Sequence, residues 1–317
     1  MPRPYDRARW WDAALRQNDA MMVLLAGASG FLGTALRRRL TDQGHTTNRL
    51  VRTAPGGPDE YQWDPYQGEL PREALAGVDA VVNLAGAPIA HWPWTASYRE
   101  KLLASRVATT STIATAVSRV EGPLPALVNA SGVGLYGPDR GDEQLDEEST
   151  RGDGFLAGVV ERWEAATQSA VGAGARVVLA RTSVVLDRAG GALPVLRLPF
   201  RLGVGGRLGS GRQWFPSVSL DDYLAALTRF VTDPEMSGPY NVVAPEPATN
   251  AELTALLGSL LHRPAFLRVP AYPLEKLLGD LSGELLGSLK VAPRRLLESG
   301  FRFAHRDLES QLRAALG

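Results

Sequence analysis

The stretch LLAGASGFLG, residues 24–33, limits the possible folds more than any other part of the chain. A short apolar run, Met22–Ala26, enters three glycines spaced three apart, Gly27, Gly30 and Gly33. From Phe31 the apolar period becomes helical, through Leu32, Ala35, Leu36 and Leu40, and Gly44 stands where a C-cap belongs. A strand, a glycine turn and an amphipathic helix in that order offer unpaired backbone N–H groups and the positive end of a helix dipole to an anion. Side chains in the turn would hold a phosphate away. Gly27 then serves the tight turn, Gly30 the close approach of a pyrophosphate, and Gly33 the packing of helix on strand. Ser29 adds a hydroxyl donor. The segment reads as the seat of a dinucleotide.

The rest of the chain repeats the rhythm. NRLVR (48–52), AVVNLAG (80–86), ALVNASG (126–132) and ARVVLAR (175–181) read as further strands, with helical spacing at 97–120 and 154–172. Near-continuous apolar strands alternating with helices indicate a parallel sheet covered on both faces. Right-handed crossovers make it an α/β, Rossmann-type doubly wound sheet. The rhythm breaks at 188–216, which is rich in Gly, Pro and Arg. SVSL (217–220), the helix after Asp221 and Asp222, and YNVVAP (240–245) resume it. We expect an extension at 1–20, a dinucleotide domain at 21–184 joined again by 217–243, and, over 185–317, a lid and a smaller C-terminal substrate domain.

An NAD site usually carries an acid after its second strand, on the ribose 2′-hydroxyl. Residues 44–58 hold none. Arg52 ends that strand, with Arg49 before it, and a guanidinium suits a 2′-phosphate. The expected cofactor is NADP(H).

Lys+Arg and Asp+Glu balance at 34 each, so no overall field draws the chain to nucleic acid or membrane. The partner expected is a small molecule, and the oligomeric state is open. With no cysteine, disulfides, thiolate metal sites and a cysteine nucleophile are excluded. His45, His91, His262 and His305 lack metal-ligand spacing, so no metal is expected. Residues 1–20 mix arginines with aspartates and lack an apolar core, unlike a signal peptide. A cytoplasmic protein is expected.

GASGFLG, NLAG (83–86) and SGVGLYG (131–137), in this order, resemble the extended short-chain dehydrogenase/reductase superfamily. SRVATT (105–110), ERWEAAT (161–167), GGRLGSGRQWFPSVSLDD (205–222), YNVVAPEPATNAEL (240–253) and VAPRRLLESGFRF (291–303) are similar to its epimerase-family branch, often labelled nucleoside-diphosphate-sugar epimerase-like or cell-division-inhibitor-like. The resemblance implies an NADP-type Rossmann domain. It also implies that Gly27, Ser29, Gly30, Phe31, Leu32 and Gly33 line the pyrophosphate and that Arg52 meets the adenosine phosphate. Leu84, Ala85 and Gly86 would pass under the adenosine ribose side. Ser131 would lie near the nicotinamide, Arg181, Thr182 and Ser183 would follow the last strand of the first domain, and Arg106 would sit on a helix facing the cofactor. An intrahelical ion pair is the other reading of Arg106.

The superfamily moves its proton with Tyr-x-x-x-Lys on a helix, where the ammonium lowers the phenol pKa. The corresponding helix here, GFLAGVVERWEAAT (154–167), has neither residue. Phe155 and Val159, or Leu156 and Val160, occupy the positions. The catalytic group is therefore unassigned, with Ser131 and Tyr136 as weak candidates. Glu161 and Glu164 read as surface caps or pairs. Trp94, Arg207, Arg212, Gln213 and Trp214 are candidate substrate contacts, the arginines suiting an anion and Trp214 a ring. The reading is an NADP(H)-binding, epimerase-like oxidoreductase acting on a small, anionic substrate. The alternative is a non-catalytic sensor of NADP(H).

Overall fold

The computed structural model describes residues 20–317 except residue 280, so all but the last residue of the expected extension at 1–20 lie outside the described residues. Seven strands form one sheet: β1 (Met22–Ala26), β2 (Thr46–Val51), β3 (Glu60–Gln62), β4 (Ala80–Asn83), β5 (Ala126–Gly132), β6 (Val177–Thr182) and β7 (Gly238–Val242). Their spatial order is β7-β6-β5-β4-β1-β2-β3, and every pairing is parallel. The chain builds outward from β1 in one direction, then returns and builds from β4 in the other. The crevice at a sheet's carboxyl edge opens at such a reversal.

Both faces are covered because successive side chains of a strand point to opposite sides. Val23, Leu25, Val82, Val128 and Val178 pack beneath α1 (Phe31–Asp42) and α4 (Leu220–Thr232), against Leu36, Leu40, Tyr223, Leu227 and Phe230. Leu24, Ala26, Val81, Leu127 and Val177 face the other way, onto Ile113, Ala114 and Val117 of α2 (Ala96–Ser118). Each such aliphatic side chain contributes about 1.5–3 kcal/mol on burial, which explains why the strands read as continuous apolar runs. Next along the chain from β5, α3 (Phe155–Ala165) buries Leu156, Val159, Val160 and Trp163.

Three elements differ from the sequence reading. The edge strand β3 carries no apolar run. The segment at 188–216 contains two one-turn helices, Leu193–Leu196 and Leu198–Arg201, each started by a proline. The C-terminal part, in which the sequence reading placed no strand after 240–245, also holds Leu267–Val269, paired with Gly206–Leu208, and Lys290–Val291, paired with Gln144–Leu145. Short strands of two or three residues leave no periodic signal. Among the described residues no helix is long and apolar enough to cross a membrane.

Candidate functional site

The glycine turn is built for close approach. Gly27 has φ +79°, and a side-chain carbon there would lie 2.8 Å from the Leu84 carbonyl carbon. The turn after β1 thus rests directly on the backbone leaving β4. At Gly33 the same carbon would meet the Gly27 oxygen at 2.2 Å. Gly30 is the N-cap of α1, and no side chain caps that end. Its own N–H donates to Gly27 O at 3.1 Å, closing the turn. Ser29 and Gly30 are exposed, so the N–H groups of the first turn of α1 open to the crevice. Phe31 and Leu32 are half-buried. The Phe31 ring lies on Gly190 and Gly191, where a carbon on Gly190 would come within 2.4 Å of it.

The turn from β4 is held from below. Asn83 and Asn129 are register partners on β4 and β5, and both are fully buried. Asn83 Nδ2 donates to Asn129 Oδ1 at 2.8 Å and to Thr110 Oγ1 at 3.0 Å, while its Oδ1 accepts the Ala85 N–H. Trp163 Nε1 joins through Thr110 Oγ1. Ser105 accepts the Ala87 N–H, and Thr109 reaches Ala85 O. One face of α2 therefore supports Leu84–Ala87, with Arg106 between these two contacts. Sequence reading missed the two asparagines. Their signal was available: both strands end an apolar run in Asn.

Arg52 and Arg49 separate in the structure. Arg49 pairs with Asp59 at 2.9 Å and Glu60 at 2.8 Å, acids that follow the acid-free window. That bond to Arg49, opposed by burial, holds Asp59 below the usual carboxylate range. Arg52 has no acidic partner within ion-pair distance among the described residues. It is exposed on the rim of a cleft of about 740 Å³ that it shares with Trp63, Asp64, Tyr66 and Glu69. Thr112 Oγ1 anchors this wall by donating to Pro65 O. The cleft residues from β3 onward were not anticipated.

Ser131 and Tyr136, the catalytic candidates, belong to a closed network. Ser131 Oγ donates to Glu164 Oε1 at 2.6 Å. Arg181 holds both oxygens of Glu164, at 2.9 and 3.0 Å, and donates to the Tyr136 hydroxyl at 3.1 Å. Tyr136 in turn donates to Asn241 Oδ1 at 2.8 Å. Burial works against the Arg181 charge, but the Glu164 carboxylate outweighs it and raises the pKa. Burial likewise raises that of Tyr136, which is fully enclosed. These groups tie β5, α3, β6 and β7 together, and neither hydroxyl has a proton free for a ligand. Glu164, half-buried, is thus the partner of Arg181 rather than a surface cap, and Arg181 turns into the protein. Thr182 Oγ1 donates to Ala180 O within its own strand, and Ser183 Oγ donates to Val242 O at the end of the neighbouring strand β7.

The missing pair leaves an apolar wall. Leu156, Val159 and Val160 are buried, and Phe155 packs edge-on against Trp94 at 5.8 Å with Arg99 over its ring. Trp94 also donates to Ile89 O. Arg106 makes no intrahelical ion pair; it bonds Leu102 O at 3.1 Å and lies over the Trp163 ring at 4.9 Å. Of the remaining substrate candidates, Trp214 donates to Asp142 Oδ1 at 2.8 Å and has Lys290 over its ring. Gln213 donates to Leu208 O. Both are thus tied into the protein by these contacts. Arg212 is exposed, and Arg207, half-buried, packs on Gly211. No group of His, Asp or Glu among the described residues is arranged to hold a metal.

A parallel doubly wound sheet with a glycine cradle at its reversal defines a nucleotide-binding α/β protein of the extended short-chain dehydrogenase/reductase class. Residues 23–155 match the NAD dependent epimerase/dehydratase family, and residues 269–315 match a domain of unknown function, DUF1731. An epimerase family protein of Mycobacterium bovis is 41% identical over 292 residues, covering 92% of this chain and 96% of that one. The chain belongs to this epimerase family. The crystal structure of human epimerase family protein SDR39U1 with NADPH is 36% identical, covers 93% of this chain and 99% of its own, and superposes with a TM-score of 0.84. A nucleoside-diphosphate sugar epimerase from Corynebacterium glutamicum is 35% identical with a TM-score of 0.79; the match covers 95% of this chain and 59% of that one.

Proposed function

We propose that this protein is an NADP(H)-dependent oxidoreductase of the epimerase family that acts on a small anionic molecule without the superfamily's Tyr–Lys pair. The observation that carries the reading is the cradle. Its three glycines admit no side chain without crowding the Gly27 carbonyl or the backbone at Leu84–Ala85, and it opens onto an uncapped helix end. Such a seat suits a diphosphate. Ser29 and the first N–H groups of α1 hold the phosphate oxygens. Leu84–Gly86 run under the adenosine ribose, and Trp63, Asp64 and Tyr66 wall the adenine end. Arg52, clear of Asp59 and Glu60, meets the 2′-phosphate. The NADPH carried by the human relative supports that choice over NADH.

A nicotinamide dinucleotide, when bound, supplies or accepts hydride. The chain itself orients that chemistry, and its buried Leu156, Val159 and Val160 bring no proton donor to the helix that would carry the pair. Because Ser131 and Tyr136 are committed to their network, the proton that accompanies hydride transfer enters from solvent. Calorimetry on the purified chain tests the reading. NADPH binds with heat and NADH binds more weakly. Heat from neither nucleotide, in either oxidation state, overturns it. Oxidation of bound NADPH across a panel of carbonyl compounds then tests for turnover.

A further inference from the structure

Beyond the cofactor turn, the carboxyl edge of β4 and β5 carries rings and a fixed charge. The loop 84–95 leaves β4 for α2, and Phe155 opens α3 after β5. The crevice of a doubly wound sheet opens at this edge. Phe155 packs edge-on against Trp94 at 5.8 Å, and both are half-buried. Ile89, tied to Trp94 by the indole N–H, is 40% exposed. The surface offered here is therefore apolar and largely aromatic, which suits a flat ring. The Arg99 guanidinium lies over the Phe155 ring at 4.4 Å.

Protons are the scarce item. Ser131 Oγ donates to Glu164, and Tyr136 donates to Asn241. Glu164 is itself held on both oxygens by Arg181. Tyr98 Oη donates to Pro88 O at 2.6 Å, and Trp94 Nε1 to Ile89 O at 3.1 Å. None of these hydrogens is left for an acceptor. A guanidinium is not deprotonated in proteins, so Arg99 brings charge and no proton. His91, exposed and stacked on the Tyr98 ring at 4.0 Å, is the titratable side chain of the loop. The site thus offers a positive charge and a flat apolar seat, without an acid on the helix where a phenol would stand.

That combination selects an acceptor. Hydride added to an isolated ketone or aldehyde leaves an alkoxide, a base comparable to hydroxide, whose conjugate acid water has a pKa of about 15.7. Hydride added to a quinone leaves a phenolate, and a phenol has a pKa of about 10. An oxyanion so much less basic forms without an acid beside it, and a fixed positive charge favours it further. We infer that the group reduced in this site is a quinone on a flat ring, seated on Trp94 and Phe155, rather than an isolated ketone or aldehyde. This rests on the NADP(H) reading above. The quinone takes one hydrogen with its bonding pair from the reduced nicotinamide dinucleotide, which is thereby oxidised. Its π electrons redistribute into an aromatic ring. One oxygen ends bonded to that hydrogen, and the other holds the negative charge until water gives it one proton, completing the hydroquinone.

The test uses the full chain. NADPH is titrated first by calorimetry, and a chain that binds none fails the dinucleotide reading and this inference with it. Oxidation of bound NADPH is then followed with 1,4-naphthoquinone, 2-naphthaldehyde and cyclohexanone, each corrected for its rate without protein. The aldehyde shares the flat ring but yields an alkoxide, and the chain has no cysteine for the quinone to alkylate. 2-Naphthol, flat and phenolic, is titrated into the NADP+ complex as a readout independent of turnover. The quinone is expected to react at least a hundredfold faster than the aldehyde or the ketone, and 2-naphthol to bind with heat. Trp94→Ala and Phe155→Ala weaken quinone turnover and 2-naphthol binding at least tenfold, while NADP+ affinity stays within threefold. His91→Gln leaves quinone turnover within threefold. In a chain that binds NADPH, absence of quinone turnover or of 2-naphthol binding overturns the inference. So does reduction of the aldehyde or ketone at a rate within tenfold of the quinone. Unchanged behaviour in both ring variants removes the seat, and loss of turnover in His91→Gln makes the chain itself the proton donor; either result overturns it. If Phe155→Ala does not fold, Phe155→Leu, which keeps the bulk without the ring, is read by the same criteria.

Discussion

A single added carbon at Gly33 would stand 2.2 Å from the carbonyl oxygen of Gly27, whereas one at Gly30 would stand at 3.3 Å from the same atom. The two glycines therefore do different work. Gly33→Ala must push α1 away from the turn, at about 1–3 kcal/mol, and lowers both the melting temperature and nucleotide affinity. Gly30→Ala leaves the fold within about 0.5 kcal/mol of the parent yet obstructs the phosphate. Denaturant unfolding beside calorimetry separates them; equal loss of stability in both variants contradicts the division.

Arg52 faces an open cleft while Arg49 is neutralised by two carboxylates. Arg52→Glu weakens NADPH by about 10- to 100-fold, the range of a charge-assisted bond, and leaves NADH nearly unchanged. Equal loss for both nucleotides removes Arg52 from the 2′-phosphate.

Glu164 satisfies Arg181 and Ser131 at once. Glu164→Gln leaves a buried guanidinium without its counter-charge and costs about 3–5 kcal/mol. Ser131→Ala removes one donor and costs about 1 kcal/mol. Urea unfolding checks the ratio. A Ser131→Ala variant as unstable as Glu164→Gln would show that the hydroxyl has a partner beyond the carboxylate.

Glu147 is buried, and burial raises its carboxyl pKa despite N–H groups donated by Asn241 and Arg295. A carboxyl whose folded pKa lies above its unfolded value favours the folded state most when protonated. That contribution is complete below the ordinary glutamate range and fades as pH rises through the elevated value. Glu147→Gln therefore flattens the decline of stability over that interval. Melting curves from pH 4 to pH 8 read it directly, and an identical slope in both proteins rules Glu147 out as its source.

The doubly wound sheet was legible because its central strands, β1, β4, β5 and β6, are buried on both faces and run into a glycine or a small polar residue. The strand–turn–helix at 22–42 is local chemistry, and three glycines declare it. The arginine at the end of β2 was legible for the same reason. Partnerships across long separations were not. Nothing near Glu164 in the chain announces Arg181, and Arg49 meets Asp59 and Glu60 only because a three-residue edge strand pairs with β2. The helical neighbours of Arg106 are Leu102, Leu103, Thr109 and Thr110, so the sequence already held no acid at pairing distance on its helix, while its contacts with Gly86 and Trp163 came only with the packing of α2. Trp214 read as a free ring until its indole N–H found Asp142, 72 positions away.

The Phe31 ring opens α1 and lies on Gly190 and Gly191, residues drawn from beyond β6. Its consequence is for transplantation. Residues 22–42 moved alone into another parallel sheet would arrive with an uncovered aromatic at the mouth of the helix. An engineer borrowing this motif has to carry the distant glycine hairpin with it, or replace the phenylalanine.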